Sequence, residues 1–225
     1  MTAAATSTVR TLTLADSDAR RLVCDLCRGF YEKGWATGTG GGISIRSGER
    51  VYMAPSGVQK ERLRPDDIFV VDLHGNILDR PDSDLHISAC RPLFLAAYRI
   101  RNAGAVLHSH SLNSVMATVL FRDAFQITGI EMQKGITGHS VGEILEVPII
   151  ENTEFEGDLA NALSDAIIGA PRTQAVLVRG HGVYVWGRDW AHAKAQAECY
   201  DYLFEAAVRL KQAGLDPSTT CGRGL

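Results

Sequence analysis

The residues best placed to do chemistry are three histidines. His108 and His110 stand two apart in His108-Ser109-His110, directly after the short apolar run 103–107. On extended backbone, side chains alternate between faces, so both imidazoles point the same way and can reach one ion. His181 follows a second apolar run, 175–178, and is flanked by Gly180 and Gly182. Those glycines let the chain turn sharply and leave room beside the ring. Three imidazoles with a fourth position open describe a catalytic zinc, or a similar divalent ion, rather than a closed structural site. The opposing reading makes His-x-His a polar strand end; the matching context of His181 favours the metal. His74, His86, His139 and His192 fall in turns or on a polar helix face and are expected at the surface.

Two loops accompany the histidines. Thr37-Gly38-Thr39-Gly40-Gly41-Gly42 offers successive backbone N–H groups able to cradle a phosphate. It lacks both the Gly-Lys-Ser/Thr ending of a P-loop and the strand-to-helix setting of a dinucleotide fingerprint. Ala54-Pro55-Ser56-Gly57 adds a hydroxyl on a flexible backbone. Each alone marks a turn as readily as a site. Beside a metal triad they suggest a small phosphorylated substrate, anchored at one end and polarised at the other. Five cysteines at irregular spacing argue against a disulfide framework and for a reducing compartment. Cys24 and Cys27 lie in a helical run with Leu22, Val23, Leu26, Phe30 and Tyr31, so buried helix thiols are expected there. Cys199 and Cys221 read as equally structural.

These residues need a scaffold, and the patterning supplies one. A first helix is predicted from Asp16 or Asp18, which offer side-chain caps, to Gly34. Short strands follow at 43–46, 51–54 and 68–72, the last returning as a hairpin through His74-Gly75-Asn76. A helix is predicted over 92–101 with Pro92 in its first turn, then the strand leading into His108. Ser111 caps the next helix, which carries Val115, Met116, Val119 and Leu120. A strand over 147–150 contains Pro148, implying an edge or a strand end. A helix over 154–168, strands over 175–178 and 183–186, and a final helix from Asp189 to Ala213 complete the chain. The final helix buries Trp190, Ala193, Ala197, Tyr200, Phe204 and Ala207 and is terminated by Gly214 and Pro217. Interleaved strands and helices with some hairpins predict one α/β layered domain with a mixed, largely antiparallel sheet.

The composition agrees. At 225 residues, 45% hydrophobic and 22% charged, with a net charge of −3, the chain has the size of one domain and should bury roughly 72% of its extended surface. A mildly acidic balance without a Lys/Arg cluster gives no footprint for nucleic acid or an anionic membrane. No apolar run approaches a membrane span. The small, polar segment 1–10 has no apolar core of a secretory signal, so a cytoplasmic enzyme is expected. Residues 1–15 are expected as a flexible tail, 16–218 as the catalytic domain and 219–225 as a C-terminal tail.

In this order the motifs resemble the class II aldolase/adducin family across nearly the whole chain. The broad pattern is the glycine loop, Ala54-Pro55-Ser56-Gly57, His108-Ser109-His110 and His181. A narrower set is Pro55-Ser56-Gly57-Val58-Gln59-Lys60-Glu61, Val147-Pro148-Ile149-Ile150-Glu151-Asn152, His181-Gly182-Val183-Tyr184-Val185-Trp186-Gly187 and Glu198-Cys199-Tyr200-Asp201-Tyr202-Leu203-Phe204. That set resembles a dehydratase branch of the family acting in methionine salvage. The aldolases place a catalytic glutamate after a serine pair shortly before His-x-His. Here the stretch is Ser88-Ala89-Cys90-Arg91-Pro92, with Cys90 at that place.

The resemblance implies an α/β/α domain and a metal-dependent lyase that dehydrates a 2-ketose 1-phosphate carrying a methylthio group at carbon 5. It implies one Zn2+ per subunit on His108, His110 and His181, with Glu131 as acid/base. Read alone, Glu131 is a solvated glutamate at a helix start. Gly41, Gly42, Ser56, Gly57 and Ser88 are implied as phosphate donors, and Cys90 as a substrate contact. The remaining implied partner is a second copy of the chain, in a homotetramer with sites near subunit interfaces. Two alternatives are a zinc-dependent sugar-phosphate aldolase, disfavoured by Cys90, and a non-catalytic adducin-like binding domain, disfavoured by the intact triad.

Overall fold

The computed structural model describes residues 13–219. Among these residues the helices are α1 (Asp16–Glu32), α2 (Arg91–Arg101), α3 (Leu112–Leu120), α4 (Ala160–Gly169) and α5 (Trp190–Gln212). The strands are β1 (Gly42–Ser47), β2 (Arg50–Met53), β3 (Phe69–Asp72), β4 (Ile77–Asp79), β5 (Ala105–Ser109), β6 (Ala124–Ile127), β7 (Leu145–Ile150), β8 (Ala175–Val178) and β9 (Gly182–Gly187). They form one sheet in the order β4-β3-β2-β1-β5-β9-β8-β7-β6. Only β7 and β8 pair in parallel; every other neighbouring pair is antiparallel.

Strand alternation gives the sheet two apolar faces. Ile43, Ile45, Ala105, Leu107, Val183 and Val185 point towards α1, α3 and α5, where Val23, Phe30, Ala117, Tyr200 and Phe204 close one core. Val106, Val176, Val178, Tyr184 and Trp186 point the other way, against Leu93, Phe94 and Tyr98 of α2 and Leu163 and Ile167 of α4. The result is the expected three-layer α/β/α arrangement, with a core on each side of a sheet buried on both faces.

Several local expectations are corrected. Helix α1 is capped by Ala15 with no side-chain cap; Asp16 is engaged instead by Arg20 at 2.7 Å and by the Tyr52 hydroxyl at 3.0 Å. Pro148 is not on a sheet edge. It pairs with Ala124 of β6 on one side, and the parallel pairing with β8 begins at Ile149, so the missing N–H falls where β7 changes partners. Strand β6 was not anticipated: Ala124–Ile127 is too short to display its alternation between chain turns. The helix expected over 154–168 begins only at Ala160, after a 3-10 turn at Glu156–Leu159. That tight turn carries Glu156 inward, under the sheet end. Leu14 is tied to β1, its N–H donating to Ser47 Oγ at 2.8 Å, while the tail residues 1–12 and 220–225, Cys221 included, lie outside the described residues. Cys24 and Cys27 are buried on α1 as expected, and burial pushes the Cys24 thiol up to about 11.

Backbone approach is closest where β5 meets β9. A Cβ on Gly104 would stand 2.1 Å from the Arg188 carbonyl oxygen and 2.6 Å from its carbon. Neither atom can move without displacing the chain. Gly104→Ala is therefore expected to destabilise the fold by about 1–3 kcal/mol or more. Gly142→Ala, with nothing within 4 Å of the added carbon, should stay within about 0.5 kcal/mol of wild type. Urea unfolding of both variants checks the contrast.

Candidate metal centre

The pairing of β5 with β9 builds the site. The register sets His108 opposite Tyr184 and Ser109 opposite Val183. His108 shares a face with Val106, and His110, two residues further, emerges on that same side beyond the strand end. His181 sits on the turn before β9, where its N–H donates to the Val178 carbonyl at 3.1 Å. That turn is braced from outside. Gly180, at φ 64°, donates to Thr118 Oγ1 at 2.9 Å, and Arg179 reaches the Phe121 carbonyl at 3.2 Å and Glu151 at 2.7 Å. Gly182 is required for a reason other than room beside the ring: a Cβ there would lie 2.1 Å from the Ser109 carbonyl oxygen of β5.

The three Nε2 atoms converge. They are separated by 2.8 Å (His108–His110), 2.9 Å (His110–His181) and 3.3 Å (His108–His181). A tetrahedral ion with metal–nitrogen bonds of about 2.0–2.1 Å would separate its ligands by about 3.3–3.4 Å, which the His108–His181 side matches and the other two sides fall short of by about 0.5 Å. The far ring nitrogens set the tautomers. His108 Nδ1 donates to the Val183 carbonyl at 3.1 Å and His181 Nδ1 to Asn152 Oδ1 at 3.2 Å, so both Nε2 atoms carry lone pairs. Protonation does not relieve the crowding. Burial first, then the neighbouring imidazoles, holds His108 well below the usual histidine value. Burial and His181 bring His110 down to about 4, and burial lowers His181. Two lone pairs fixed by their far-side partners, converging with the Nε2 of His110, are a donor set for a cation.

Beneath the triad lies a second cluster. Glu156 Oε1 accepts from Cys90 Sγ at 3.0 Å and from the Tyr184 hydroxyl, and it lies 3.4 Å from His108 Nε2. Tyr184 stacks on the His108 ring, with centroids 4.0 Å apart and planes 7° apart. Since His108 is neutral, its contact with Glu156 is not an ion pair. Burial, then Glu156, pushes the Cys90 thiol up, so it is a hydrogen-bond donor and not a nucleophile.

The glycine loop closes the site. A Cβ at Gly40 would stand 2.4 Å from His110 Nδ1, one at Gly41 3.0 Å from the His108 carbonyl, and one at Gly42 3.3 Å from Cys90 Sγ. Ser88 is buried and its Oγ accepts from the Cys90 N–H at 3.2 Å. Ser56 bridges to His86 on the segment leading to Ser88, its N–H donating at 2.9 Å. Gly57 follows at φ 69°. Gly41, Gly42, Cys90 and the triad are thus contiguous. Glu131 is not brought to them within this chain. It opens a 3-10 turn, its side chain 79% exposed, and pairs with Lys134 at 2.7 Å. Among the other histidines, His74 and His86 are exposed as expected. His139 and His192 are half-buried, His192 held by Thr137 Oγ1 at 2.7 Å.

Known proteins resemble this chain in sequence and in fold. The sequence matches the Class II Aldolase and Adducin N-terminal domain over residues 21–208, and the chain belongs to that family. The proteins named methylthioribulose-1-phosphate dehydratase from Xenopus tropicalis and Aquarana catesbeiana are 53% and 52% identical to it over 208 residues. Each alignment covers 88% of this chain and 87% of the relative. The fold is that of a solved L-fuculose 1-phosphate aldolase, with a TM-score of 0.75, 21% identity and 91% of each chain covered.

Glu156, Tyr184, Asn152 and Lys60 were not assigned roles from sequence. Lys60, Asn152 and Tyr184 lie inside the motifs that carry the family resemblance, but nothing local marks their partners. Asn152→Ala should keep the triad yet weaken divalent-metal binding about 10–100-fold, and His181→Ala should abolish stoichiometric binding. Competition against a chromophoric chelator measures both.

Proposed function

We propose that this chain dehydrates 5-methylthioribulose 1-phosphate to 5-methylthio-2,3-dioxopentyl phosphate, a lyase step of methionine salvage. The observation that carries the reading is the convergence of His108, His110 and His181 beside a glycine loop, in a chain about half identical to proteins of that name. Residues 16–218 form the catalytic unit, working in a homotetramer in the cytoplasm with one zinc ion per subunit. The free, buried thiols of Cys24, Cys27 and Cys90 suit a reducing compartment. No helix among the described residues is long and apolar enough to cross a membrane.

The carbon 3 proton of a 2-ketose is too weakly acidic to leave near neutral pH unless charge on the carbonyl oxygen is stabilised. A divalent ion on the three histidines supplies that stabilisation as a Lewis acid, worth several kcal/mol. A carboxylate then takes the carbon 3 proton, and an acid delivers a proton to the carbon 4 hydroxyl, which departs as water. The enol left behind tautomerises to the 2,3-diketone. Backbone and hydroxyl donors of Gly41, Gly42, Ser56, Gly57 and Ser88 hold the phosphate, and the Cys90 thiol contacts the substrate. Glu131 is the acid/base. Its exposure, away from its own triad, fits a role at the site of a neighbouring subunit.

A second reading rests on one observation. The carboxylate lying against His108 is Glu156, anchored by Cys90 and Tyr184. In that reading Glu156 accepts the carbon 3 proton and Glu131 serves the leaving hydroxyl or nothing.

Mass spectrometry of zinc-loaded protein with the substrate should find loss of one water. Dihydroxyacetone phosphate and a methylthio aldehyde would instead mean an aldolase. Glu131→Gln should keep its zinc and lose at least about 100-fold in turnover. Mixing inactive Glu131→Gln with inactive His181→Ala subunits should restore part of the activity. Full activity of Glu131→Gln beside a dead Glu156→Gln would transfer the role to Glu156.

A further inference from the structure

Lys60 is the buried cation that the reaction scheme leaves unused. Its residue is 2% exposed, and its Nζ donates to the Thr39 carbonyl at 3.0 Å and the Val58 carbonyl at 3.3 Å. Thr39 belongs to the glycine loop and Val58 follows Ser56-Gly57, so one ammonium group spans the two loops read as phosphate binders. Among the described residues no carboxylate forms an ion pair with it. Glu156 and Glu61 are near enough to act on it through space, yet Glu156 Oε1 is taken by Cys90 and Tyr184, and Glu61 Oε2 is buried without a hydrogen-bond partner. Burial, the largest influence, lowers the proton affinity of the amine.

A buried charge without an opposite charge is costly, because carbonyl dipoles solvate it without neutralising it. Tying two loops together does not require that cost, since a neutral amide donor would serve the same two carbonyls. The charge itself is therefore the property to be explained. The loop it lies behind borders the triad: Gly40 abuts His110, Gly41 the His108 carbonyl and Gly42 the Cys90 sulfur. An anion seated on that loop would have the ammonium that holds Thr39 on one neighbouring residue and the histidine triad on the next.

We propose that Lys60 is the fixed countercharge for the substrate's phosphate, acting from behind the glycine loop and setting the preference for a phosphorylated over an unphosphorylated sugar. This rests on the phosphate-ester reading of the site and deepens it. Binding the ester dianion completes a charge pair that folding left half made, so the phosphate contributes more affinity than hydrogen bonds from neutral donors alone would give. The buried lysine has no solvent shell to exchange, which keeps the pair strong at ordinary salt.

The test uses binding, measured on metal-free protein so that turnover is not the readout. In the wild type carrying lysine labelled at the side-chain nitrogen, inorganic phosphate should shift the Lys60 signal saturably, and chloride at equal ionic strength should not. Lys60→Met should weaken inorganic phosphate at least tenfold while leaving the affinity for unphosphorylated methylthioribulose unchanged. Equal weakening of both ligands would mean that Lys60 only holds the loops and would overturn the countercharge. So would an unmoved Lys60 signal at saturating phosphate, which decides the matter even if Lys60→Met does not fold. Loss of water from the substrate is measured separately, so a wrong countercharge and a wrong reaction are told apart.

Discussion

The antiparallel contact between β5 and β9 is the constraint on which the site depends. It fixes His108 opposite Tyr184 and brings the turn bearing His181 to the end of the strand bearing His108 and His110. The two backbones meet so closely at Ser109 and Gly182 that no side chain fits between them. Because both strands lie in the middle of the sheet, with cores on either face, their relative position cannot drift without disturbing both cores. The histidine triangle thus inherits the rigidity of the most buried part of the molecule. The exposed side of the triad is left to turns and loops, where a ligand can enter.

The same geometry explains how neutral imidazoles are kept ready. Burial lowers the proton affinity of all three rings, neighbouring imidazoles add to it at His108 and His110, and two of the rings are fixed in the ligating tautomer by partners on their far side. A divalent ion held by the three rings would supply the positive charge that the missing protons do not. Below them, Glu156 collects the hydroxyl of Tyr184 and the thiol of Cys90 and presses against the edge of His108. The chain thereby has a carboxylate beside its candidate metal ligands even though position 90 holds cysteine. Its source is a 3-10 turn on a different element.

Much of this was legible in the residues themselves. The period-2 spacing of His108 and His110, after an apolar run, is a local property of extended chain, and it held in three dimensions. The glycines at 40–42 and 182 stood out as a phosphate cradle and as room to turn, while the close neighbours that exclude a side chain there came only with the structure. Ser111 capped α3 as its position suggested, accepting from the Ser114 N–H at 3.1 Å. Local rules failed where a tertiary partner outbid them. Asp16 left its capping role for Arg20 and Tyr52, and Pro148 sits inside the sheet because β7 changes partners beside it.

By itself, then, the sequence determined the layered α/β class, the three candidate ligands and the loops beside them, since each follows from periodicity or from backbone freedom. Tertiary structure alone decided which carboxylate and which cation stand at the site. Glu156 meets Cys90 across 66 positions, and Lys60 meets the glycine loop across 21. It also decided that Glu131 lies away from its own triad, exposed beside Lys134. Contacts between residues so far apart depend on how the sheet and helices pack, and no local spacing encodes them.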